Sequence, residues 1–467
     1  MLTGLATGVA VLFVICIVIV FAFEFVNGFH DTANAVATVI YTGTLKPTQA
    51  VVWSGIINFL GVLTSVWLFG MSVAFKIAAL LPLEALMDQS LGQAIAMVLA
   101  VLIAAVAWNL GTWYLGIPCS SSHTLIGSIL GVGMVFSFLP ENSKHVGINW
   151  EEAAKIGNAL LFSPAFGFSM AIVLMFILRS VVKNKAIFKE PEEGSRPPVW
   201  IRAILITTCT LVSFFHGSND GQKGVGLLFI ILMVFMPLQH ALSPEFTPEA
   251  AMQTLTNIQA ALPNKDQPEA DVFKEISKTS ETIETLKADI AVLSPTDVKG
   301  RLAIRKRMSF MIKNLKVLKD EPNAISDASA RKVLSKEMKN IEKYTNHIPM
   351  WCMIMISLAL GLGTMIGYQR IVVTIGEKIG KRHMTYAEGA TAELIAASTI
   401  GLSSYFGLPV STTHVLSSGV AGSMVASKGV KNLQSGTIKN IALAWVLTLP
   451  ATIILSGGFY LLFRLFA

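Results

Sequence analysis

The chain has 467 residues, 53% of them hydrophobic and only 14% charged, with a formal net charge of +7 and a mean hydropathy of +0.61. This balance excludes an ordinary soluble domain and reads as a polytopic membrane protein whose partner is the lipid bilayer. The basic residues gather in Arg179–Arg202 and in a polar block between about 245 and 346. Loop asymmetry under the positive-inside rule accounts for them, so no nucleic-acid partner is expected. Cys16, Cys119, Cys209 and Cys352 sit in or beside apolar segments without CxxC spacing, which points to neither a disulfide framework nor a zinc site. No cofactor is expected.

Apolar runs long enough to cross about 30 Å of hydrocarbon recur at Leu5–Val26, Gln49–Phe75, Leu91–Leu115, Ala153–Val182, Ile348–Tyr368 and Gly436–Phe466. The first has no basic n-region, since the first Lys or Arg is Lys46, and reads as a retained helix. It carries Glu24 near its end, an interfacial position, and leads into the polar patch Asn27-Gly28-Phe29-His30-Asp31-Thr32-Ala33-Asn34-Ala35. Asp31 and Asn34 share a helix face. A carboxylate at membrane depth is costly and points to function; pairing with His30 or helix capping is the plainer alternative. Two long helices follow, the second ending in Trp108-Asn109-Leu110-Gly111-Thr112-Trp113-Tyr114. Then comes Gly116-Ile117-Pro118-Cys119-Ser120-Ser121-Ser122-His123-Thr124-Leu125, an apolar arm to about Phe138, and a helix near 153–183.

Residues 183–202, charged and holding Pro191, Pro197 and Pro198, mark a basic linker after a first transmembrane repeat at 1–182. The pattern then restarts at 203–243, with the patch His216-Gly217-Ser218-Asn219-Asp220-Gly221-Gln222-Lys223-Gly224 and Asp220 in the place of Asp31. The polar block 244–347 has apolar residues at helical spacing, such as Ile283, Leu286, Ile290 and Leu293, and reads as a soluble helical insert on the cytoplasmic side. Residues 348–467 complete the second repeat: an apolar helix, the basic stretch Arg370–Arg382, a helix near 385–405 holding Glu388 and Glu393, then Gly407-Leu408-Pro409-Val410-Ser411-Thr412-Thr413-His414-Val415-Leu416 and a closing helix. Counting each run as one crossing sets Arg370–Arg382 opposite the insert, so either that stretch is an interfacial helix or a run near 203–243 is a re-entrant pair.

The Gly-Pro-hydroxyl-His segments are 291 residues apart (His123 to His414), the acidic patches 189 (Asp31 to Asp220). The difference, 102, matches the insert in length. The expected fold is therefore an all-α polytopic membrane protein. It has two homologous, inverted-topology repeats with broken helices and re-entrant helical hairpins, plus the insert, built for alternating access around a midplane site. Each hydroxyl segment reads as a helix tip inside the membrane, where unpaired amides and the helix dipole attract an anion. Ser120, Ser121, Ser122, Ser411, Thr412 and Thr413 add hydroxyl donors; plain N-capping is the competing reading. His123 and His414 suit orienting a hydroxyl, binding a metal, relaying a proton, or packing.

The two patches and Pro409-Val410-Ser411-Thr412-Thr413-His414 strongly resemble the inorganic phosphate transporter (Pit) family, above all its bacterial low-affinity, proton-coupled members. The resemblance covers nearly the whole chain. It implies a symporter of the bacterial inner (plasma) membrane that imports inorganic phosphate. Protons, or sodium in other members, would be the coupling ions, and the cargo would travel as a neutral complex of hydrogen phosphate with a divalent metal ion. By motif position Asp31, Asn34 and Asp220 would serve ion coupling and the hydroxyl tips the phosphate. One departure matters: Lys223 stands where the first half has Asn34 and where the family often has Asn. An ammonium there repels sodium and pairs with Asp220, which favours proton or metal–phosphate coupling; the alternative is a lysine that snorkels to an interface. Asp31, Asp220, His30, His216 and Glu393 are the candidates for carrying protons, with Asn219 and Gln222 as accessories. Sulfate is the competing cargo. A membrane serine hydrolase is the competing class, disfavoured because the Ser-rich tips are duplicated whereas a catalytic set is assembled once.

Overall fold

A computed structural model of the protein describes residues 6–81, 89–140, 142, 147–192, 196–263, 270–320, 325, 327–367, 372 and 378–467. Among them there is no strand, only an isolated bridge between Gly380 and Leu433. The chain divides into two compact units, one of Met1–Ile231 with Met350–Ala467 and one of Leu232–Pro349.

The first unit opens with α1 (Thr7–Tyr41), α2 (Pro47–Phe69) and the short α3 (Ser72–Ala78). It continues through α4 (Leu91–Tyr114), α5 (Ser121–Ser137), α6 (Trp150–Val181) and most of α7 (Val199–Phe235). Among the described residues six helices are long and apolar enough to cross a membrane: α1, α2, α4, α6, α7 and Ser435–Phe466. Several expectations need correction. The run Ile348–Tyr368 forms a helix of only 15 residues, Met350–Thr364. The runs near 203–243 contain no re-entrant pair, because α7 passes through them as one helix of 37 residues. The acidic patches likewise do not break their helices. α1 runs unbroken for 35 residues, and Glu24, read as near a helix end, lies in its middle with 0% exposure. The basic stretch beginning at Arg370 lies largely outside the described residues.

The second unit holds α8 (Pro248–Ala261), α9 (Ala270–Ala291), α10 (Val298–Asp320) and α11 (Ala328–Thr345). Their apolar faces meet in a core that includes Leu255, Ile283, Leu286, Ile290, Ile304, Met308 and Ile341, with Leu293 at its margin. Arg305 is buried there and donates to the carbonyls of Ala241 and Thr345. These carbonyls are helix-end acceptors that would otherwise be unpaired.

The first unit resumes with α12 (Met350–Thr364), α13 (Tyr386–Tyr405), α14 (Thr412–Lys428) and α15 (Ser435–Phe463). Here the two halves exchange partners. α5, which follows the first tip, packs on α15; α14, which follows the second, packs on α6. Both contacts depend on glycine. A Cβ on Gly131 of α5 would lie 2.2 Å from the Ile453 carbonyl, and one on Gly422 of α14 would lie 2.3 Å from that of Phe168. Lipid is as apolar as leucine, so helices in a bilayer gain by close backbone approach rather than by hydrophobic burial. The outer surface carries exposed Val11, Val18, Leu161, Phe162, Phe166, Val446 and Ile454, a face suited to lipid.

Candidate functional site

The two tips have one local structure. Each opens on a glycine with φ 66, Gly116 and Gly407, a conformation that costs any other residue strain. Each then runs through proline to a serine N-cap: Ser120 accepts from the His123 amide and Ser411 from the His414 amide, both at 3.2 Å. A helix of 17 residues follows in both cases. The first hydroxyl of each tip is therefore occupied in capping, and the second and third meet the acidic patches.

Their meeting point is Asp31. Thr413 Oγ1 donates to Asp31 Oδ1 at 2.7 Å, while Thr412 Oγ1 at 3.4 Å and Ser121 Oγ at 3.2 Å reach Oδ2. Ser121 Oγ also lies 3.4 Å from Asp220 Oδ2, so a single hydroxyl bridges the two halves' carboxylates. His216 Nε2 stands 3.6 Å from each of those oxygens. Asp31, His216 and Asp220 thus present ligand atoms within 4.8 Å of one another, all buried, a set that can hold a cation. His30 completes the ring, with Nδ1 3.4 Å from Asp31 and Nε2 3.4 Å from Thr112 Oγ1.

On the second patch, Lys223 Nζ pairs with Asp220 Oδ1 at 2.7 Å. The ammonium also donates to Ser122 Oγ and to the Val410 carbonyl. It is 1% exposed, so the snorkelling alternative is excluded. On the first patch the matching residue, Asn34, donates to Thr413 Oγ1 at 3.0 Å. At the centre the two carboxylates, Asp31 and Asp220, face one ammonium, Lys223, and the imidazole of His216. Charges this far from water must be paired, so an arriving anion needs positive charge to accompany it.

The other residues singled out in the sequence have partners of their own. Asn219 braces the second tip, donating to the Leu408 carbonyl and accepting from the Val410 amide. Gln222 turns away and accepts from the Val73 amide. The rings of His123 and His414 face each other at 4.5 Å, and His414 stacks on Trp445 at 4.1 Å. Glu393 takes a 2.5 Å hydrogen bond from Thr208, and Glu388 closes a capping box with Thr385. Asn58 escaped the sequence reading. It is buried, joins His216 Nδ1 at 3.1 Å and donates to Thr364; an amide inside the run Gln49–Phe75 was its only signal. Ser120 Oγ does lie 2.8 Å from His123 Nδ1, but among the described residues no carboxylate hydrogen-bonds that imidazole, so no catalytic triad is assembled.

A model of the phosphate transporter family matches residues 27–456. The chain belongs to the phosphate transporter family. Among its relatives, the low-affinity inorganic phosphate transporters PitB and PitA of Escherichia coli K12 are each 39% identical, over 98% of this chain and 97% of theirs. The low-affinity inorganic phosphate transporter of Buchnera aphidicola from Acyrthosiphon pisum is 39% identical over 94% of both chains. A solved structure described as the sodium-dependent phosphate transporter shares the fold, with TM-score 0.56 and 20% identity over 98% of this chain and 100% of that one. Membership in the phosphate transporter family makes this a multi-pass membrane transporter and not an enzyme.

Proposed function

We propose that the protein imports inorganic phosphate across the bacterial inner membrane by symport with protons, alternating access around the centre where the two tips meet Asp31 and Asp220. Phosphate is received as hydrogen phosphate, and a divalent metal ion travelling with it supplies the positive charge that accompanies it. Ser121, Ser122, Thr412 and Thr413, whose hydroxyls now donate to carboxylates or carbonyls, turn to the phosphate oxygens, with the first-turn amides of α5 and α14 behind them. Asp31, Asn34, His30 and His216 hold the cation side, and Glu393 serves as an outlying proton acceptor.

The observation that carries the coupling is the Lys223–Asp220 pair at 2.7 Å. A sodium ion at Asp220 would face a fixed ammonium, whose repulsion is large where water is excluded. The second half therefore carries its own cation, and the energy of uptake comes from protons. Purified protein in sealed liposomes tests this: labelled phosphate accumulates under an inward proton gradient with magnesium present, and an inward sodium gradient adds nothing. Sodium-driven accumulation by the wild type overturns the reading, as does a Lys223→Asn variant whose cation dependence is unchanged. Sulfate supplied as competitor should leave phosphate uptake intact.

A further inference from the structure

Two turns before Asp31 on α1 lies a second polar pocket that the phosphate and cation contacts do not use. Seven residues of helix return to nearly the same face about 10 Å along the axis, so Glu24 lies below Asp31 on the side turned to α7. It is 0% exposed. Its Oε2 accepts from Asn27 Nδ2 at 3.3 Å. Its Oε1 and Asn27 Oδ1 are both buried acceptors without a donor among the described residues. α7 makes room for the carboxyl at Gly224, where a Cβ would lie 2.3 Å from Oε1 and 2.5 Å from Cγ. Among the described residues the charged or titratable groups that act on Glu24 are Asp220, Lys223 and His216, all on α7. Lys223, the only permanent cation of the three, is engaged by Asp220, Ser122 and the Val410 carbonyl.

Two orphan acceptors side by side need a donor, and an unpaired carboxylate at membrane depth is costly. A hard metal cation requires about six oxygen ligands, far more than one carboxyl and one amide supply. A proton requires one. The pocket also has no counterpart in the other half: the 189-residue offset carries Glu24 onto Ser213, whose hydroxyl pairs with that of Ser54 at 2.9 Å.

We propose that Glu24 is a proton-binding residue of the transport cycle, resting on the proton-symport reading above and assigning one proton to a particular atom. An O–H bond forms at Oε1 with a proton from hydronium on the outer side. The neutral acid accompanies the loaded protein inward, and the O–H bond breaks there to return the proton to water. The empty protein travels back with the proton released. Glu24→Gln mimics the protonated acid at nearly the same size, so it keeps the loaded form mobile and prevents the release that the empty form needs.

In sealed liposomes, Glu24→Gln is expected to retain exchange of labelled for unlabelled phosphate within about twofold of wild type. Accumulation driven by a proton gradient falls at least about tenfold. Exchange by the wild type declines as pH rises, and the decline is shallower for Glu24→Gln. Glu24→Asp, which keeps the acid, recovers part of the accumulation. Unimpaired accumulation by Glu24→Gln overturns the assignment. Equal loss of exchange and accumulation does so too, since it marks a structural residue. Accumulation by the wild type on a sodium gradient alone overturns the coupling reading instead, and is seen before any variant is made.

Discussion

The two halves of the protein agree at their tips and differ at their acidic patches. Gly116 and Gly407 share a φ of 66, Ser120 and Ser411 cap with the same 3.2 Å bond, and α5 and α14 have the same length. Asp31, by contrast, meets hydroxyls and two imidazoles, whereas Asp220 holds a lysine. Identical tips suit a ligand that both halves grip in the same way. Unequal carboxylates suit a division of labour in which one half stays open to a travelling cation and the other carries a permanent one.

Removing the open carboxylate should have the largest effect: Asp31→Asn abolishes phosphate uptake in liposomes and leaves the protein monodisperse. Asp220→Asn strands the Lys223 ammonium, and breaking a buried pair costs about 3–5 kcal/mol, read as a large drop in thermal unfolding temperature. The double variant Asp220→Asn with Lys223→Asn should recover most of that stability, and failure to do so would mean that the pair is not the linchpin of the second patch. The exchanged helix contacts should respond alike in both halves. Gly131→Leu and Gly422→Leu each destabilise by about 1–3 kcal/mol or more through overpacking, and a much larger loss in one half would break their equivalence. Smallest are the caps: Ser120→Ala and Ser411→Ala cost about 1 kcal/mol each and leave the KM for phosphate near that of wild type, whereas Ser121→Ala raises it.

Much of this was legible in the chain. Hydroxyl triplets behind Gly and Pro announce a helix start in any apolar setting, because only capping and donor chemistry explains them there. The Asp220–Lys223 pair was legible because residues three apart share a helix face. The continuity of α1 and α7 through their polar patches was not. Asn-Gly and Gly-Ser look like breaks locally, but buried helices keep their hydrogen bonds where no water competes. Glu24 was misjudged for the same reason: distance from the end of an apolar run says nothing of an unbroken helix beyond it. Asn58 and the facing imidazoles of His123 and His414 depend on contacts between segments hundreds of residues apart, which periodicity within one segment does not encode.

The exchange of partners between halves also sets an order of assembly. α5 closes on α15, which is synthesised about 300 residues later, and translation adds roughly 5–20 residues each second. The first tip therefore waits on the order of tens of seconds for the helix that seats it. Until then α5 has only α4 of its two main partners, so in a chain stalled in synthesis the seat of the first tip is unfinished.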